Sequence, residues 1–163
     1  MLFQWDRGLV AQVVAVGIAG WWTYHLHDST GEGVVNPNAT LQLTVLPYYT
    51  SKDQRLLLVH VHPKNAGKVP IYLRKPDDLR VKVKRIPEQG LSGVIDVDRL
   101  PKPVAEIDGM LKRYGDEYEL DPGVEFDEVA SFVLPLGLYH VEAELSFGKE
   151  GDTVGDQEIV ELK

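Results

Sequence analysis

His60 and His62, two histidines separated by one residue, are the side chains whose type and spacing most directly suggest chemistry. Imidazole nitrogens bind zinc and copper, and residues i and i+2 of a strand lie on one face of a sheet. In such a strand Leu57, Val59 and Val61 would occupy the opposite, buried face. The pair could therefore bind a metal ion, act as a pH switch, or face solvent from an ordinary strand.

Two ligands do not complete a metal site, because structural zinc uses four protein ligands and catalytic zinc uses three. His140 also alternates outward, but its predicted strand should lie in the opposite sheet, so its side chain should point away from the pair. We therefore predict no metal site and no cofactor, and retain His60 and His62 as the candidate metal ligands. A strand that faces solvent or a partner is the favoured explanation of the pair.

Recognisable motifs of catalysis are absent from the sequence. The chain has no cysteine, which excludes disulfides, thiolate nucleophiles and zinc ribbons. It contains no nucleophile elbow, phosphate-binding loop, dinucleotide-binding glycine motif or HExxH motif. The formal net charge of −8 argues against a nucleic-acid partner, since nucleic-acid-binding domains are normally basic. We expect a protein that is not an enzyme and does not bind nucleic acid.

Residues 8–24 near the N-terminus carry no charged side chain, and Gln12 is the one strongly polar residue among them. As an α-helix this segment would be roughly 25 Å long, close to the ~30 Å hydrocarbon core of a bilayer. Four aromatic residues would lie at the two membrane interfaces: Trp5, Trp21, Trp22 and Tyr24. The pattern predicts a membrane anchor over residues 1–27, with one transmembrane helix that spans about 8–24.

The distribution of cations predicts the orientation of this helix. Arg7 precedes the segment, and no lysine or arginine follows it before Lys52. The positive-inside rule then places the N-terminus in the cytoplasm and the rest of the chain outside. We predict a single-pass protein of a bacterial inner membrane with a periplasmic C-terminal domain. A cleaved signal peptide is the alternative, because Gly17 and Ala19 have the small-residue spacing of a cleavage site.

Small residues recur along one side of the predicted helix. The stripe consists of Gly8, Ala11, Ala15 and Ala19, with Gln12 beside it. Small side chains allow another helix to approach closely, and an amide can form a hydrogen bond across the contact. The stripe therefore favours a membrane protein partner, or a second copy, within the lipid bilayer. The general abundance of alanine in membrane helices explains the stripe equally well.

After a predicted flexible linker, residues 28–39, apolar and polar residues alternate in short segments that turn residues interrupt. Strands are predicted at about residues 41–46, 55–62, 69–74, 79–86, 127–134, 138–147 and 155–162. Because apolar and polar residues alternate strictly, each strand has one face buried in the core and one face exposed to solvent. This favours an antiparallel sandwich over a parallel α/β sheet.

The sequence LPLGLYHVEAELSF, residues 134–147, places Gly137 two residues before Tyr139, which begins a strand with alternating apolar residues. This arrangement resembles the tyrosine corner of immunoglobulin-like sandwiches. The sequence HPKNAGKVPI, residues 62–71, resembles the strand-turn segment of bacterial extracytoplasmic immunoglobulin-like and fibronectin type III-like domains. The resemblance implies that residues 40–163 form an all-β, immunoglobulin-like antiparallel sandwich of about seven strands, in which Gly137 and Tyr139 define the fold.

The stretch from Glu88 to Gly123 is longer than an ordinary strand connection. Pro103 suits the first turn of a helix and Gly115 suits its end. Four residues between them have helical spacing: Val104, Ile107, Leu111 and Tyr114. A short helix is therefore predicted near residues 103–114, inside an insertion that could carry binding specificity.

Outward-facing Lys82 and Lys84 in one predicted strand are complemented by Glu142 and Glu144 in another. If the two strands share a sheet, we expect cross-strand ion pairs that contribute a few tenths to about 1 kcal/mol each. Much of the basic character between Lys52 and Arg85 would then be neutralised within one surface of the domain.

These features favour a non-catalytic accessory or scaffold subunit of a membrane protein complex, anchored by its helix and presenting an extracytoplasmic β-sandwich to partner proteins. An anchored or secreted binding module, of the adhesin or carbohydrate-binding type, is the first alternative. A periplasmic metal-handling protein that uses His60 and His62 is the second.

Overall fold

Nine β-strands and two short 3-10 helices make up the part of the chain that the computed structural model describes, residues 35–87, 95–148 and 151–163. The strands are β1 (Pro37–Pro47), β2 (Gln54–Asn65), β3 (Ile71–Arg74), β4 (Leu79–Ile86), β5 (Ala105–Ile107), β6 (Glu117–Leu120), β7 (Glu128–Pro135), β8 (Gly137–Phe147) and β9 (Asp152–Leu162). The 3-10 helices are Val97–Arg99 and Met110–Tyr114. All strand ladders are antiparallel, so the predicted all-β, antiparallel fold is confirmed.

Two of the sheets enclose one hydrophobic core. The first has the strand order β1-β2-β7, the second has the order β5-β4-β8-β9, and β3 pairs with β6 in a separate ladder. Successive side chains of a strand lie on opposite faces, so every second residue reaches the core. Leu57 and Val59 of β2 and Val141 and Leu145 of β8 are all 0% exposed and belong to the same core.

The period-two pattern located the strands correctly, because each of the seven predicted strands overlaps an observed one. Two short strands, β5 and β6, were not predicted. β1 begins at Pro37, within the segment predicted as a linker, and the linker residues 28–34 lie outside the described residues.

The short helix predicted near residues 103–114 is wrong. Ala105–Ile107 instead form β5 and pair with the exposed edge of β4. Gly109 adopts a φ of +87°, a left-handed conformation that an α-helix cannot contain, and a single 3-10 segment follows it. Leu111 is buried, but Val104 and Tyr114 are 52% and 51% exposed, so their helical spacing does not correspond to one buried face.

Asn65 ends β2 and fixes the turn toward β3. Its side chain is 0% exposed. Nδ2 donates to the carbonyl oxygens of Val69, at 2.7 Å, and Leu120, at 2.8 Å, while Oδ1 accepts from the N–H of Gly67 at 2.9 Å. Because a side-chain amide supplies both donors and an acceptor, Asn65 holds the turn that leads to β3 and ties it to β6.

The outer strands β1 and β9 meet at one side of the core. The N–H of Leu41 in β1 donates to the carboxylate of Asp156 in β9 at 3.1 Å. The preceding residue, Gly155, lies so close to β8 that a Cβ atom would be 2.1 Å from the carbonyl oxygen of Ala143. Glycine at this position therefore allows β9 to pair closely with β8.

The predicted fold class included a transmembrane helix, and this part needs correction. Within residues 35–87, 95–148 and 151–163 no helix is long and apolar enough to cross a membrane, which takes about 20 residues. The described helices are 3-10 segments of three and five residues. Across these residues the structure supports an all-β fold class and gives no support to the predicted transmembrane helix, so the predictions of a single-pass membrane protein, of an inner-membrane location and of a periplasmic domain are corrected.

The residues on which the anchor prediction depended, within 1–27, lie outside the described residues. They are the helix-packing residues Gly8, Ala11, Gln12, Ala15 and Ala19 and the interface residues Trp5, Trp21, Trp22 and Tyr24.

Candidate functional site

His60 and His62 lie on the outer face of β2, and each is paired with a carboxylate. The Nδ1 atom of His60 is 3.0 Å from Asp127 Oδ1, and that of His62 is 3.8 Å from Glu125 Oε1. An ionised carboxylate can only accept, so Nδ1 of His60 carries the proton in its hydrogen bond. The rings are nearly parallel, with centroids 6.4 Å apart. Both histidines therefore link β2 to the segment that precedes β7.

The described residues contain no group of three or more histidine, aspartate or glutamate side chains arranged to hold a metal ion. His140 lies in β8, in the sheet opposite β2, as predicted from the sequence. It is 2% exposed, and its Nε2 atom is 2.9 Å from Gln157 Oε1. His140 is thus a buried side chain of the other sheet and cannot complete a site at His60 and His62.

Tyr139 and Gly137 lie where β7 turns into β8. Tyr139 is 1% exposed, and its hydroxyl donates to the carbonyl oxygen of Pro135 at 2.9 Å. Burial raises the pKa of this phenol, so the hydroxyl stays protonated and keeps donating. Gly137 has a φ of +151°, which favours glycine at this junction. Together they lock the β7-β8 connection over the core.

An apolar patch occupies part of the outer side of the β1-β2-β7 sheet, next to the two paired histidines. The strand register places Leu46, Leu56 and Val133 side by side in one row across the three strands. Leu58 and Val129 lie in the next two rows, and these five residues are termed the outer apolar face. Leu46, Val129 and Val133 are 38%, 38% and 40% exposed, whereas Leu56 and Leu58 are partly buried. A contiguous exposed group of aliphatic side chains is typical of an interaction site.

At the β1-β2 turn the outer apolar face adjoins an open depression of 620 Å³. Leu46 belongs to both surfaces, and Tyr48 and Tyr49 line the depression. Tyr49 is 98% exposed. Tyrosine is one of the residue types that contribute most to binding energy in protein interfaces, because it buries a large rigid ring at a small entropic cost.

The outer side of the β5-β4-β8-β9 sheet is charged instead. Lys82 Nζ is 2.7 Å from Glu144 Oε2, and Lys84 Nζ is 3.6 Å from Glu142 Oε2. These contacts confirm the predicted cross-strand ion pairs. The two outward faces of the molecule therefore differ: one carries charges that are paired with one another, and the other carries the apolar patch beside its paired histidines.

A buried carboxylate, Glu128, joins the insertion to β7. Its side chain is 2% exposed and accepts hydrogen bonds from the hydroxyls of Tyr118, at 3.0 Å, and Tyr114, at 3.1 Å, and from the Arg113 guanidinium. Phe126 packs edge-on against the Tyr118 ring. Burial beside the Glu128 carboxylate raises the pKa of Tyr118 far above its usual value, so Tyr118 remains a donor. The hydrogen bond to Glu128 raises the pKa of Arg113, which stays charged.

This cluster was not predicted, although the sequence contains a sign of it. Glu128 shares the inward face of β7 with Ala130, Phe132 and Leu134. An acidic residue at an inward position requires a buried donor, and Arg113 and the tyrosines of the insertion supply it. The cluster is a structural clamp, since its donors and acceptors are paired with one another.

A second cavity, of 320 Å³, lies between the β4 and β8 strands and the 3-10 helix at Met110–Tyr114. Its charged groups are paired: Arg80 Nε lies 3.1 Å from Asp108 Oδ1, and Lys112 Nζ lies 3.6 Å from Asp78 Oδ2. The hydrogen bond between Arg80 and Asp108 lowers the pKa of the Asp108 carboxyl group and raises the pKa of the Arg80 guanidinium. A ligand would have to displace these pairs, which makes the cavity a poorer candidate than the outer apolar face.

No protein-family model and no curated protein sequence matches this chain. Among solved structures, the chain is similar to a crystal structure of a protein designated ApaA from Bordetella pertussis. The two chains are 13% identical, with a TM-score of 0.51, and the similarity covers 78% of this chain and 94% of the other. At this level of identity the similarity supports the β fold alone.

Proposed function

We propose that this protein is a non-catalytic accessory or scaffold module that binds a partner protein through its outer apolar face. The observation that carries the proposal is the contrast between the two outward sheet faces. Lys82 and Lys84 are matched by glutamates on one side, whereas Leu46, Val129 and Val133 are each more than a third exposed on the other.

The surroundings of this face fit a protein partner. Polar groups border it at one end, where His60 pairs with Asp127, and the exposed ring of Tyr49 borders it at the other. An apolar centre with a polar rim and an aromatic anchor is the usual composition of a protein interface. The net charge of −8 is consistent with a partner that is not a nucleic acid.

The arrangement of strands supports a finer description of the module as immunoglobulin-like, of the fibronectin type III kind. In this proposal β1, β2 and β7 correspond to strands A, B and E, and β4, β8 and β9 correspond to C, F and G. The hydrogen bond from Tyr139 to Pro135 supports it, since a tyrosine corner forms such a bond near the start of strand F.

The test compares partner capture by the full chain and by two variants with one added lysine each. Leu58→Lys places a charge in the outer apolar face, and Thr153→Lys places the same charge on the exposed outer side of β9. We expect Leu58→Lys to weaken binding of the captured partner tenfold or more, equivalent to about 1.4 kcal/mol, and Thr153→Lys to have no effect. Unfolding midpoints measured in parallel establish that both variants are folded.

Equal binding by all three proteins would contradict the proposed surface. An adhesin or carbohydrate-binding module that uses the insertion predicts a different result. In that case Tyr114→Ala, in the exposed part of the insertion, would reduce binding while Leu58→Lys would not.

A further inference from the structure

The four edge strands of the two larger sheets differ in how well they are protected against pairing with another strand. Natural proteins protect such edges with charges, short strands or covering groups. β9 contains four acidic residues, and β5 is three residues long with Glu106 at its centre. The edge of β1 is covered in part by β9, since Asp156 accepts from the N–H of Leu41. Three of the four edges therefore have a recognisable protection.

Among residues 35–87, 95–148 and 151–163, nothing of this kind protects the edge of β7. Its sequence from Val129 to Leu134 contains no charge and no proline, and the acidic Glu128 is turned into the core. Within the described residues β7 has sheet hydrogen bonds only with β2. A long, uncharged and exposed edge is a template for another strand.

Two prolines decide which backbone groups of β7 are available. In the β1-β2 ladder Pro47 is opposite Arg55 and Pro63 is opposite Ala39. Proline has no N–H, so neither pair can be one in which the two residues donate to each other. Because reciprocally bonded pairs alternate with unbonded ones, the even-numbered residues of β1 and β2 form the hydrogen bonds of this ladder and the odd-numbered residues do not. The N–H of Leu41 accordingly points away from β2, toward Asp156.

The same alternation continues through β2 into β7. The odd-numbered residues of β2 direct their backbone groups toward β7, as the hydrogen bond from the N–H of Phe126 to the carbonyl of Pro63 illustrates. The register pairs these odd-numbered residues of β2 with even-numbered residues of β7, for example Val59 with Ala130. The N–H and C=O groups of Val129, Ser131 and Val133 must therefore point outward along the free edge. Their side chains lie on the outer side of the sheet.

We propose that a second copy of this chain pairs with that edge, β7 against β7, antiparallel about a twofold axis at Ser131. Such an axis places Val129 of one copy opposite Val133 of the other, so that the three outward residues of each copy form about six hydrogen bonds. The two three-stranded sheets become one continuous sheet of six strands. The dimer goes beyond the proposed function, and it leaves Leu46, Leu56 and Leu58 of each copy open to a partner.

The charges at the two ends of β7 suit this antiparallel arrangement. Asp127 precedes the strand, and in the proposed register it lies opposite Pro135 of the second copy. Near that end Arg85 places its guanidinium 3.4 Å from the carbonyl oxygen of Leu136. An acidic end therefore meets a basic end at both limits of the interface, which favours the antiparallel pairing of identical strands.

The test uses the full chain in sedimentation velocity over a range of concentrations. Ser131→Pro removes an N–H that β2 does not use, and proline is tolerated on an edge strand when its missing N–H would face solvent. Ser131→Thr is the matched control, because it keeps the N–H and favours strand geometry. We expect the unchanged chain and Ser131→Thr to dimerise with rising concentration, and Ser131→Pro to remain monomeric.

Single cysteines test the register and keep the proposal testable if Ser131→Pro fails to fold. The chain has no cysteine of its own. Across the proposed axis the two copies of position 131 would have Cα atoms about 5.5 Å apart, within disulfide range, whereas the two copies of position 129 would be about 14 Å apart. We expect mild oxidation to crosslink Ser131→Cys and not Val129→Cys. A chain that stays monomeric at all concentrations, or a stronger crosslink at position 129, would overturn the proposal.

Formation of the β7-β7 dimer can be tested independently of the proposed partner binding. Leu58→Lys lies one strand away from the edge, so it should leave the dimer intact even where it abolishes partner binding. Loss of the dimer in Leu58→Lys would likewise count against pairing through the β7 edge.

Discussion

Replacing Glu128 by alanine should cost about 3 kcal/mol of unfolding free energy. The largest contribution comes from Tyr118, which is 8% exposed and would be left with an unpaired hydroxyl, at about 1–3 kcal/mol. Lost burial of the side-chain methylene adds about 0.8 kcal/mol. Arg113 and Tyr114 are each about half exposed and can bind water instead, so their contribution is small.

Chemical denaturation at neutral pH measures this cost, and a thermal scan should show a midpoint roughly 6–12 °C lower. The matched control is Glu117→Ala, which removes an exposed carboxylate paired with Arg74 in the neighbouring ladder. Exposed ion pairs contribute less than about 1 kcal/mol, so the control should change stability little.

A second comparison separates the unpaired hydroxyl from the other losses. Tyr118→Phe removes the donor, so its combination with Glu128→Ala should cost at least about 1 kcal/mol less than the sum of the single changes. If Glu128→Ala and Glu117→Ala destabilise the protein equally, or if the two changes at the cluster are additive, the reasoning about this buried network is refuted.

Three further changes test the fold. Asn65→Asp should destabilise the domain by more than about 2 kcal/mol, because a carboxylate would then face two main-chain carbonyl oxygens to which the amide now donates; an unchanged urea midpoint would contradict this. Gly155→Ala should cost about 1–3 kcal/mol, since its Cβ would overlap the carbonyl oxygen of Ala143, and hydrogen exchange should show faster opening of β9. The hydrogen bond from Arg80 lowers the pKa of Asp108 in the folded state. The pair therefore stabilises the protein at pH values above about 4, the ordinary pKa of a carboxyl group, and this contribution is lost as the pH falls through the folded-state pKa of Asp108. Asp108→Asn should therefore reduce stability by less than about 1 kcal/mol at pH 6 and by progressively less as the pH is lowered below about 4, as a series of urea denaturations would show.

Alternation of apolar and polar residues located seven strands correctly, because the pattern depends only on each strand having one buried face. The position of His140 in the opposite sheet, and the ion pairs of Lys82 and Lys84, could also be predicted from strand order. The same reasoning failed at residues 103–114. There the spacing of Leu111 and Tyr114 fits a helix, but the free edge of β4 and the left-handed Gly109 favour a strand and a 3-10 turn.

The chain's local pattern of side chains thus determined the all-β class and the positions and inward faces of seven strands, since these depend on neighbours within a few residues. Tertiary structure alone decided where the outward apolar residues come together, because Leu46, Leu56 and Val133 come from three strands that only the register aligns. It also decided which edge is left open, since an edge exists only once the order of strands is set. The proposed binding surface and the proposed dimer both depend on this register and strand order.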